Sequence, residues 1–258
     1  MADVERIQKC VTSWMQAGRD MMLAGIKNGF SVGTKTSPHD LVTNVDKQVE
    51  KFYVTSIKKE FPDSHFVGEE GAKAKDIGQF PGLFWIIDPI DGTMNYVKQH
   101  DNFASMIAVY EHGEPVLGFI MDVMRNDIYW GGPKTGVYVN DQPLKAPEDL
   151  SLSDGLLAIG GRMLLAGKYH AQDLAAKSFG LRINGSSGME FIGVLKGQLI
   201  GYFSYLHPWD FAAGRIMAES LGLIVKRIDG QAPNMLSSTT VLVATKRAGK
   251  EIIQVANS

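Results

Sequence analysis

The run Leu83-Phe84-Trp85-Ile86-Ile87 is apolar at every position and leads directly into Asp88-Pro89-Ile90-Asp91-Gly92-Thr93. Side chains alternate between the faces of a strand, so a continuous apolar run needs cover on both sides. A chain holding such a strand must build at least one sheet between two other layers. The strand also delivers a carboxylate at its end. Pro89 biases Asp88 toward an extended backbone and, having no N–H, is expected to stop the strand. Asp91 follows three residues on, so a tight turn brings two carboxylates together. Two anions held close are costly unless a cation lies between them. Hard oxygen ligands suit Mg²⁺, which keeps waters and binds substrate phosphate. Gly92-Thr93 then offers backbone N–H groups at a helix start, a setting that favours phosphate. An Asx turn capping a helix, with no metal, is the simpler reading of the same residues.

Composition narrows the class. The 258 residues suffice for one large domain or two small, closely packed ones. Hydrophobic residues at 45% and charged residues at 21% are those of a globular protein. The formal net charge of −2 gives no global attraction for nucleic acid or an anionic membrane. A single cysteine, Cys10, excludes an intrachain disulfide and fits a reducing compartment. No segment approaches the roughly 20 apolar residues of a membrane span, and no targeting segment is visible. A cytoplasmic protein is expected.

The pattern along the chain predicts a helix over Val4 to Asn28, with Val4, Ile7, Val11, Trp14 and Met15 at spacings of three and four. A second helix is expected after Ser37-Pro38, carrying Leu41, Val45, Val49, Phe52 and Ile57 on one face and ending at Pro62. Pro62 to Gly71 reads as a loop. Ala104 to Tyr110, Pro115 to Val123, Asp127 to Trp130 and Gly136 to Asp141 read as successive antiparallel strands. The Pro/Asp-rich stretch Pro143 to Asp154 marks the expected boundary between residues 1–145 and 146–258. Beyond it, strands (156–159, 181–184, 199–203, 223–227, 240–244) alternate with helices (169–179, 189–195, 208–221). Mixed sheets covered by helices give an α/β or α+β class.

Two further acidic motifs change the weight of the first. Gly68-Glu69-Glu70-Gly71 sets adjacent acids in a loop, and Pro208-Trp209-Asp210-Phe211 opens a helix with Asp210 in its first turn. Alone, the pair reads as a solvated loop and Asp210 as a helix cap. Together, and in this order, the three motifs resemble those of the inositol monophosphatase family of Mg²⁺-dependent, lithium-sensitive phosphomonoesterases. Asp40-Leu41-Val42-Thr43-Asn44-Val45-Asp46 is similar to that family's N-terminal helix, and the matches run from about Ser37 to Leu221. The resemblance implies a layered αβαβα fold of the inositol monophosphatase and fructose-1,6-bisphosphatase type, often a homodimer, acting on a small-molecule phosphate ester.

The resemblance also implies a site. Glu69, Asp88 and the Ile90 carbonyl would hold one Mg²⁺; Asp88, Asp91 and Asp210 a second; Glu69 would approach a third through water. Thr93, supported by Asp46 and with Glu70 nearby, would orient and deprotonate the attacking water. Gly92 and Thr93 N–H groups would bind phosphate, while Asp91 and the loop Gly185-Ser186-Ser187 would touch substrate. Inositol-selective relatives carry a glutamate shortly before the Trp-Asp motif. No Asp or Glu lies between Glu190 and Asp210 here, and Phe203 or Ser204 takes its place. Inositol monophosphate or a related sugar phosphate is the expected substrate, with NADP(H), 3′-phosphoadenosine nucleotides and fructose 1,6-bisphosphate open beside it.

Lys35, before Ser37-Pro38, resembles a family lysine near the metal pocket, although a loop lysine is ordinarily solvated. Arg162, after a Gly-Gly turn, and His207, beside the metal motif, could contact substrate, with a locally satisfied residue at a helix start the simpler reading of His207. Two rivals remain. A haloacid-dehalogenase-type phosphatase resembles the motif but uses Asp-x-Asp-Gly-Thr near its N-terminus, one residue shorter than the spacing here. A non-catalytic metal- and phosphate-binding interaction protein would not need Thr93 and Asp46 intact.

Overall fold

The fold is given by a computed structural model that describes residues 2–35, 37, 40–70 and 82–258. Its first helix, α1 (Val4–Asn28), starts at Asp3, whose carboxylate accepts the Arg6 N–H. It buries Ile7, Val11, Trp14, Met15 and Met22, the face that the spacing predicts. Strands β1 (Val32–Thr34) and β2 (Leu41–Thr43) pair antiparallel, and α2 (Asn44–Glu60) follows. The second helix therefore starts later than the apolar pattern suggests, and Leu41 lies in a strand. Thr43 is the reason. Its hydroxyl accepts from the Val45 and Asp46 N–H groups, and the Asp46 carboxylate accepts the Thr43 N–H in return. This reciprocal cap satisfies donors that a longer helix would leave elsewhere. Pro38 and Gly71 of the sequence motifs lie outside the described residues.

Strand β3 (His65–Gly68) runs parallel to β4 (Leu83–Asp91). The stretch expected to be a loop thus contributes an edge strand. Helix α3 (Thr93–Lys98) precedes β5 (Ala104–Glu111), β6 (Glu114–Asp122), β7 (Asp127–Gly132), β8 (Gly136–Val139) and β9 (Gln142–Pro143). Among the described residues β3 to β9 form a seven-stranded sheet in chain order. Its faces alternate as the apolar run requires. Phe84, Ile86, Met106 and Ala108 face one cluster, while Trp85, Ile87, Ile107 and Val109 face α1 and α2. Trp85 packs its ring against Trp14 and Phe61 and donates its indole N–H to Ser64 Oγ at 3.0 Å.

The second half supplies β10 (Leu156–Ile159), α4 (Gly161–Leu165), α5 (Ala171–Lys177), β11 (Gly180–Arg182), α6 (Ser187–Leu195), β12 (Gly201–Leu206), α7 (Pro208–Ser220), β13 (Ile224–Arg227), β14 (Thr239–Ala244) and α8 (Lys246–Ala256). Its five strands order β11-β10-β12-β14-β13. One face, through Tyr202, Val241 and Val243, joins the core shared with α6, α7 and the seven-stranded sheet. The other, through Phe203, Leu242 and Ala244, packs on α4, α5 and α8. The layers run helix, sheet, helix, sheet, helix, as the fold class anticipates. Helix α5 is shorter than the spacing suggests, because Tyr169 and His170 are left-handed.

Helix α7 comes from the second half but packs on β6. A Cβ at Gly118 would overlap the Ala213 carbonyl of that helix. This close approach carries the start of α7, and with it Asp210, to the ends of β4 and β5. Gly118→Val is expected to cost about 3 kcal/mol, the upper end for overpacking, read as a lower denaturant midpoint at unchanged slope.

Candidate active site

Residues i and i+3 of a regular strand point to opposite faces, which would separate Asp88 from Asp91. The strand avoids this with a bulge. Asp88 lies opposite Met106 and Asp91 opposite Ala104, so three steps on β4 match two on β5. The extra residue falls at Pro89-Ile90, where the missing proline N–H removes a ladder bond. Pro89 therefore does not stop the strand, as the sequence suggested. It kinks a strand that continues to Asp91.

The start of α7 completes the group. Carboxylate oxygens of Asp88, Asp91 and Asp210 lie within 4.8 Å of one another. Asp88 is 2% exposed and Asp91 7%. Burial pushes both acids above the usual carboxylate range, and their mutual repulsion with Asp210 and Glu69 pushes Asp88 further. Asp210 is raised by burial and by Asp91. Among the described residues, one Asp88 oxygen is buried without any hydrogen-bond partner. An orphaned buried anion beside two others is unfavourable as it stands. Three hard oxygen donors converging on one point fit a divalent cation.

The surrounding atoms fix these carboxylates. Asp91 accepts from Ser186 Oγ, Ser187 N and Oγ (3.2 and 2.7 Å) and Gly188 N (2.8 Å). Asp210 accepts the His207 N–H at 2.7 Å, so it caps α7 as well as facing the cluster. Gly92 follows Asp91 with φ of 86°, and a Cβ there would press on Ser186. Only glycine fits both demands. Next to it, Thr93 Oγ1 lies 3.1 Å from Asp46 Oδ1 and 3.0 Å from the Ile90 carbonyl. One hydroxyl hydrogen serves one acceptor well, so Asp46 and Ile90 share it. Asp46 is fully buried, and burial raises its acid against the lowering bonds from Thr43 and Thr93.

Glu69 continues β3, with its N–H on the Ile87 carbonyl at 3.3 Å, and so stands beside Asp88. Its carboxylate is not in the tight acidic group; it lies 2.7 Å from Lys35 Nζ, which also pairs with Glu70. One ammonium thus faces two carboxylates. Burial pushes Glu69 up to about 7, against the pull of Lys35. Lys35 is 19% exposed, so the reading of a solvated lysine is corrected. The sequence reasoning missed Glu50, which accepts the Glu70 N–H at 2.9 Å and is raised by burial. Its signal was present: Glu50 lies four residues after Asp46, on the same helix face.

Two recesses open beside the cluster. One of about 240 Å³ is lined by Asp91, Gly185, Ser186, Ser187, Tyr202, Ser204 and Asp210. The larger, about 740 Å³, lies between Lys35, Glu69 and Arg162 on its walls and Tyr205, His207 and Trp209 on another. His207 stacks on Trp209 with ring centroids 5.0 Å apart, and its Nδ1 lies 2.6 Å from Ser238 Oγ. It is satisfied locally, as read. Phe203 is core; Ser204 faces both recesses.

A five-layer α/β fold with a buried carboxylate cluster beside a positioned hydroxyl is the architecture of a phosphoric monoester hydrolase. The inositol monophosphatase family model matches residues 3–258, and the chain belongs to that family. It is 32% identical to inositol-1-monophosphatase of Bacillus subtilis, over 98% of this chain and 97% of that one. It is 29% identical to the fructose-1,6-bisphosphatase/inositol-1-monophosphatase of Thermotoga maritima, over 88% and 86%. The Nus factor SuhB of Escherichia coli is 31% identical over 79% and 78%. Among solved structures, an IMPase/NADP phosphatase complexed with Mg²⁺ and phosphate superposes with a TM-score of 0.92 at 28% identity, over 100% of this chain and 97% of the other. A staphylococcal inositol monophosphatase-1 in a LiCl-soaked inhibitory complex gives 0.93 at 28% identity, with the same coverage.

Proposed function

We propose that this hydrolase is Mg²⁺-dependent and releases phosphate from inositol monophosphate or a related sugar phosphate. The convergence of Asp88, Asp91 and Asp210 around an orphaned Asp88 oxygen carries the reading. Two or three ions are expected, with Glu69, Asp88 and the Ile90 carbonyl for one and Asp88, Asp91 and Asp210 for another. Bound there, Mg²⁺ would neutralise phosphoryl charge and acidify water. The attacking water would give a proton to Thr93 Oγ1 as that hydroxyl passes its own to Asp46 Oδ1; the water oxygen bonds to phosphorus as the ester P–O bond breaks, and the leaving alkoxide takes a proton from solvent. Burial makes Asp46 a better proton acceptor than a solvated aspartate. Glu70, held near by Lys35, supports the same water. Gly92 and Thr93 N–H groups hold phosphate, and Gly185, Ser186 and Ser187 line the leaving-group side.

Residues 1–145 and 146–258 are proposed as halves of one catalytic unit, because Asp210 joins a cluster otherwise drawn from the first half. A cytoplasmic, lithium-sensitive homodimer is the expected setting, by similarity to the family. Among the described residues no helix is long and apolar enough to cross a membrane. The wall of Tyr205, His207 and Trp209 favours a second reading, a substrate bearing a flat ring such as NADP(H) or a 3′-phosphoadenosine nucleotide.

Phosphate release with Mg²⁺ from inositol 1-phosphate, NADP(H), 3′-phosphoadenosine 5′-phosphate and fructose 1,6-bisphosphate tests both readings. Preference for the inositol ester supports the first, and preference for a nucleotide supports the second. Turnover of none favours an ester outside this set or the non-catalytic metal- and phosphate-binding protein. Thr93→Ala is expected to lower kcat about 100-fold, the scale of positioned proton transfer, with the half-saturating Mg²⁺ concentration little changed. A shift in Mg²⁺ requirement at constant kcat would contradict that role.

A further inference from the structure

Helix α6 is apolar through Phe191, Ile192, Val194 and Leu195, yet Glu190 sits among them 2% exposed. An apolar residue there would pack at lower cost, since a buried carboxylate must be compensated in full. Among the described residues, Asn184 supplies the compensation. Asn184 gives its backbone N–H to Glu190 Oε1 and its side-chain Nδ2 to Oε2, both at 2.8 Å. Asn95 of α3 holds the other side of the same residue. Its Nδ2 donates to the carbonyls of Asn184 at 2.7 Å and Asn102 at 2.8 Å, so both amide hydrogens are used.

The segment after Asn184 is the one that grips Asp91, through Ser186, Ser187 and Gly188. Asn95 lies four residues beyond Asp91 in the chain. The contacts therefore close a ring: Asp91 to residues 186–188, through α6 to Glu190, to Asn184, to Asn95 and back to Asp91. The donors that fix the Asp91 carboxylate thus sit on a segment that Asn95, Asn184 and Glu190 hold at its start.

We propose that Asn95, Asn184 and Glu190 form a positioning clamp that orients Asp91 and so sets the affinity of the acidic cluster for a divalent cation. The clamp rests on the reading of that cluster as a Mg²⁺ site. None of the three belongs to the acidic cluster itself; Glu190 also lines the smaller recess, so Mg²⁺ affinity without substrate is the readout that isolates its effect through Asp91.

An exchange of donor and acceptor separates positioning from bulk stability. Glu190→Gln alone is accommodated, because Asn184 can turn its Oδ1 to the new amide NH₂ while the remaining oxygen keeps the Asn184 backbone N–H. Asn184→Asp sets a carboxylate against the Glu190 carboxylate. Combined, the two substitutions restore a donor–acceptor pair with its charge moved across. Mg²⁺ binding is measured by isothermal titration calorimetry on each purified protein, alongside the melting temperature in EDTA. Asn184→Asp is expected to bind Mg²⁺ about 10-fold more weakly, the scale of lost support around a metal ligand, and Glu190→Gln to stay within about twofold of wild type. The double variant should return to within about twofold of wild type, the signature of coupled neighbours. The clamp is overturned if Asn184→Asp binds Mg²⁺ like wild type, whatever its melting temperature, or if the double variant is as weak as Asn184→Asp. Absence of Mg²⁺ binding to the wild type would overturn the metal site and the clamp together. That outcome is distinct from normal wild-type binding that the variants leave unmoved.

Discussion

Asp210→Asn is expected to lower phosphate release about 1000-fold at saturating Mg²⁺, the upper end for removing one preorganised electrostatic group. The same change should stabilise the metal-free protein. Asp210 faces Asp91 at close range, and that repulsion, with burial, raises its acid. Asparagine removes the charge while its Oδ1 can still accept the His207 N–H, so the cap of α7 survives. A relief of about 1 kcal/mol would raise the melting temperature in EDTA by about 2–4 °C. Loss of activity with gained metal-free stability is a paired result that damage to the fold cannot produce. Near-wild-type turnover would remove Asp210 from the site. Asp91→Asn is a poorer test, because its amide NH₂ would face donors from Ser186, Ser187 and Gly188.

Asp88 shows how far the sequence could carry this site. Its place after an apolar run, with Pro89 and Asp91 beyond, is legible, because strand ends and proline act locally. The way the two carboxylates meet is not. A turn after a terminated strand and a bulge within a continuing one satisfy the same local rules. The pairing with β5 decides between them, and that contact is long-range. The start of α2 shows the opposite failure. Thr43 and Asp46 form a capping box that the sequence displays, yet the apolar spacing through Leu41 suggested an earlier start. Local capping outweighed periodicity there. His65 to Gly68 falls inside the stretch Pro62 to Gly71 that reads as a loop in sequence. Parallel pairing to β4 makes it a strand.

The same contrast holds for side chains. Asp46 and Thr93 lie far apart in the chain, and only family resemblance joined them before the hydroxyl was seen between Asp46 and Ile90. Lys35 stands out from other loop lysines in the sequence only by its resemblance to a family lysine near the metal pocket. Its role depends on two glutamates brought to it by β3, so burial and charge had to be read together in space. The clamp of Asn95, Asn184 and Glu190 had no sequence signal at all. Asparagine in a Gly/Ser loop and glutamate near a helix start are ordinary residues there.

The metal-free protein is expected to lose stability as pH rises from about 5 to 8. Asp88 and Asp210 are held well above the usual carboxylate range, Asp91, Asp46 and Glu50 are raised, and Glu69 is pushed up to about 7. Burial is the first cause in each, with repulsion inside the cluster adding to several. An unfolded carboxylate titrates near 4. The native state therefore keeps protons that the unfolded state has released, and stability falls as pH rises through the folded values. The benefit is complete below the unfolded value and is lost across the window up to and beyond 7. Each proton so retained contributes a slope of about 1.4 kcal/mol per pH unit. Lys35 is raised by its two glutamates and stays charged throughout, so it adds no slope of its own. His207 works in the opposite sense: burial lowers it, so its contribution is lost as pH falls through its range. It is a single half-exposed group against several buried acids, and the acids decide the sign. Glu111 and Asp154 are lowered, and they titrate below the window. Excess Mg²⁺ favours the ionised carboxylates and competes with their protons, so its stabilising effect should grow with pH. Calorimetric melting in EDTA and in Mg²⁺ between pH 5 and 8 reads both effects. A melting temperature in EDTA that rises toward pH 8 would mean that the cluster is already ionised and compensated without metal, and the argument for a cation from the buried Asp88 oxygen would fall with it.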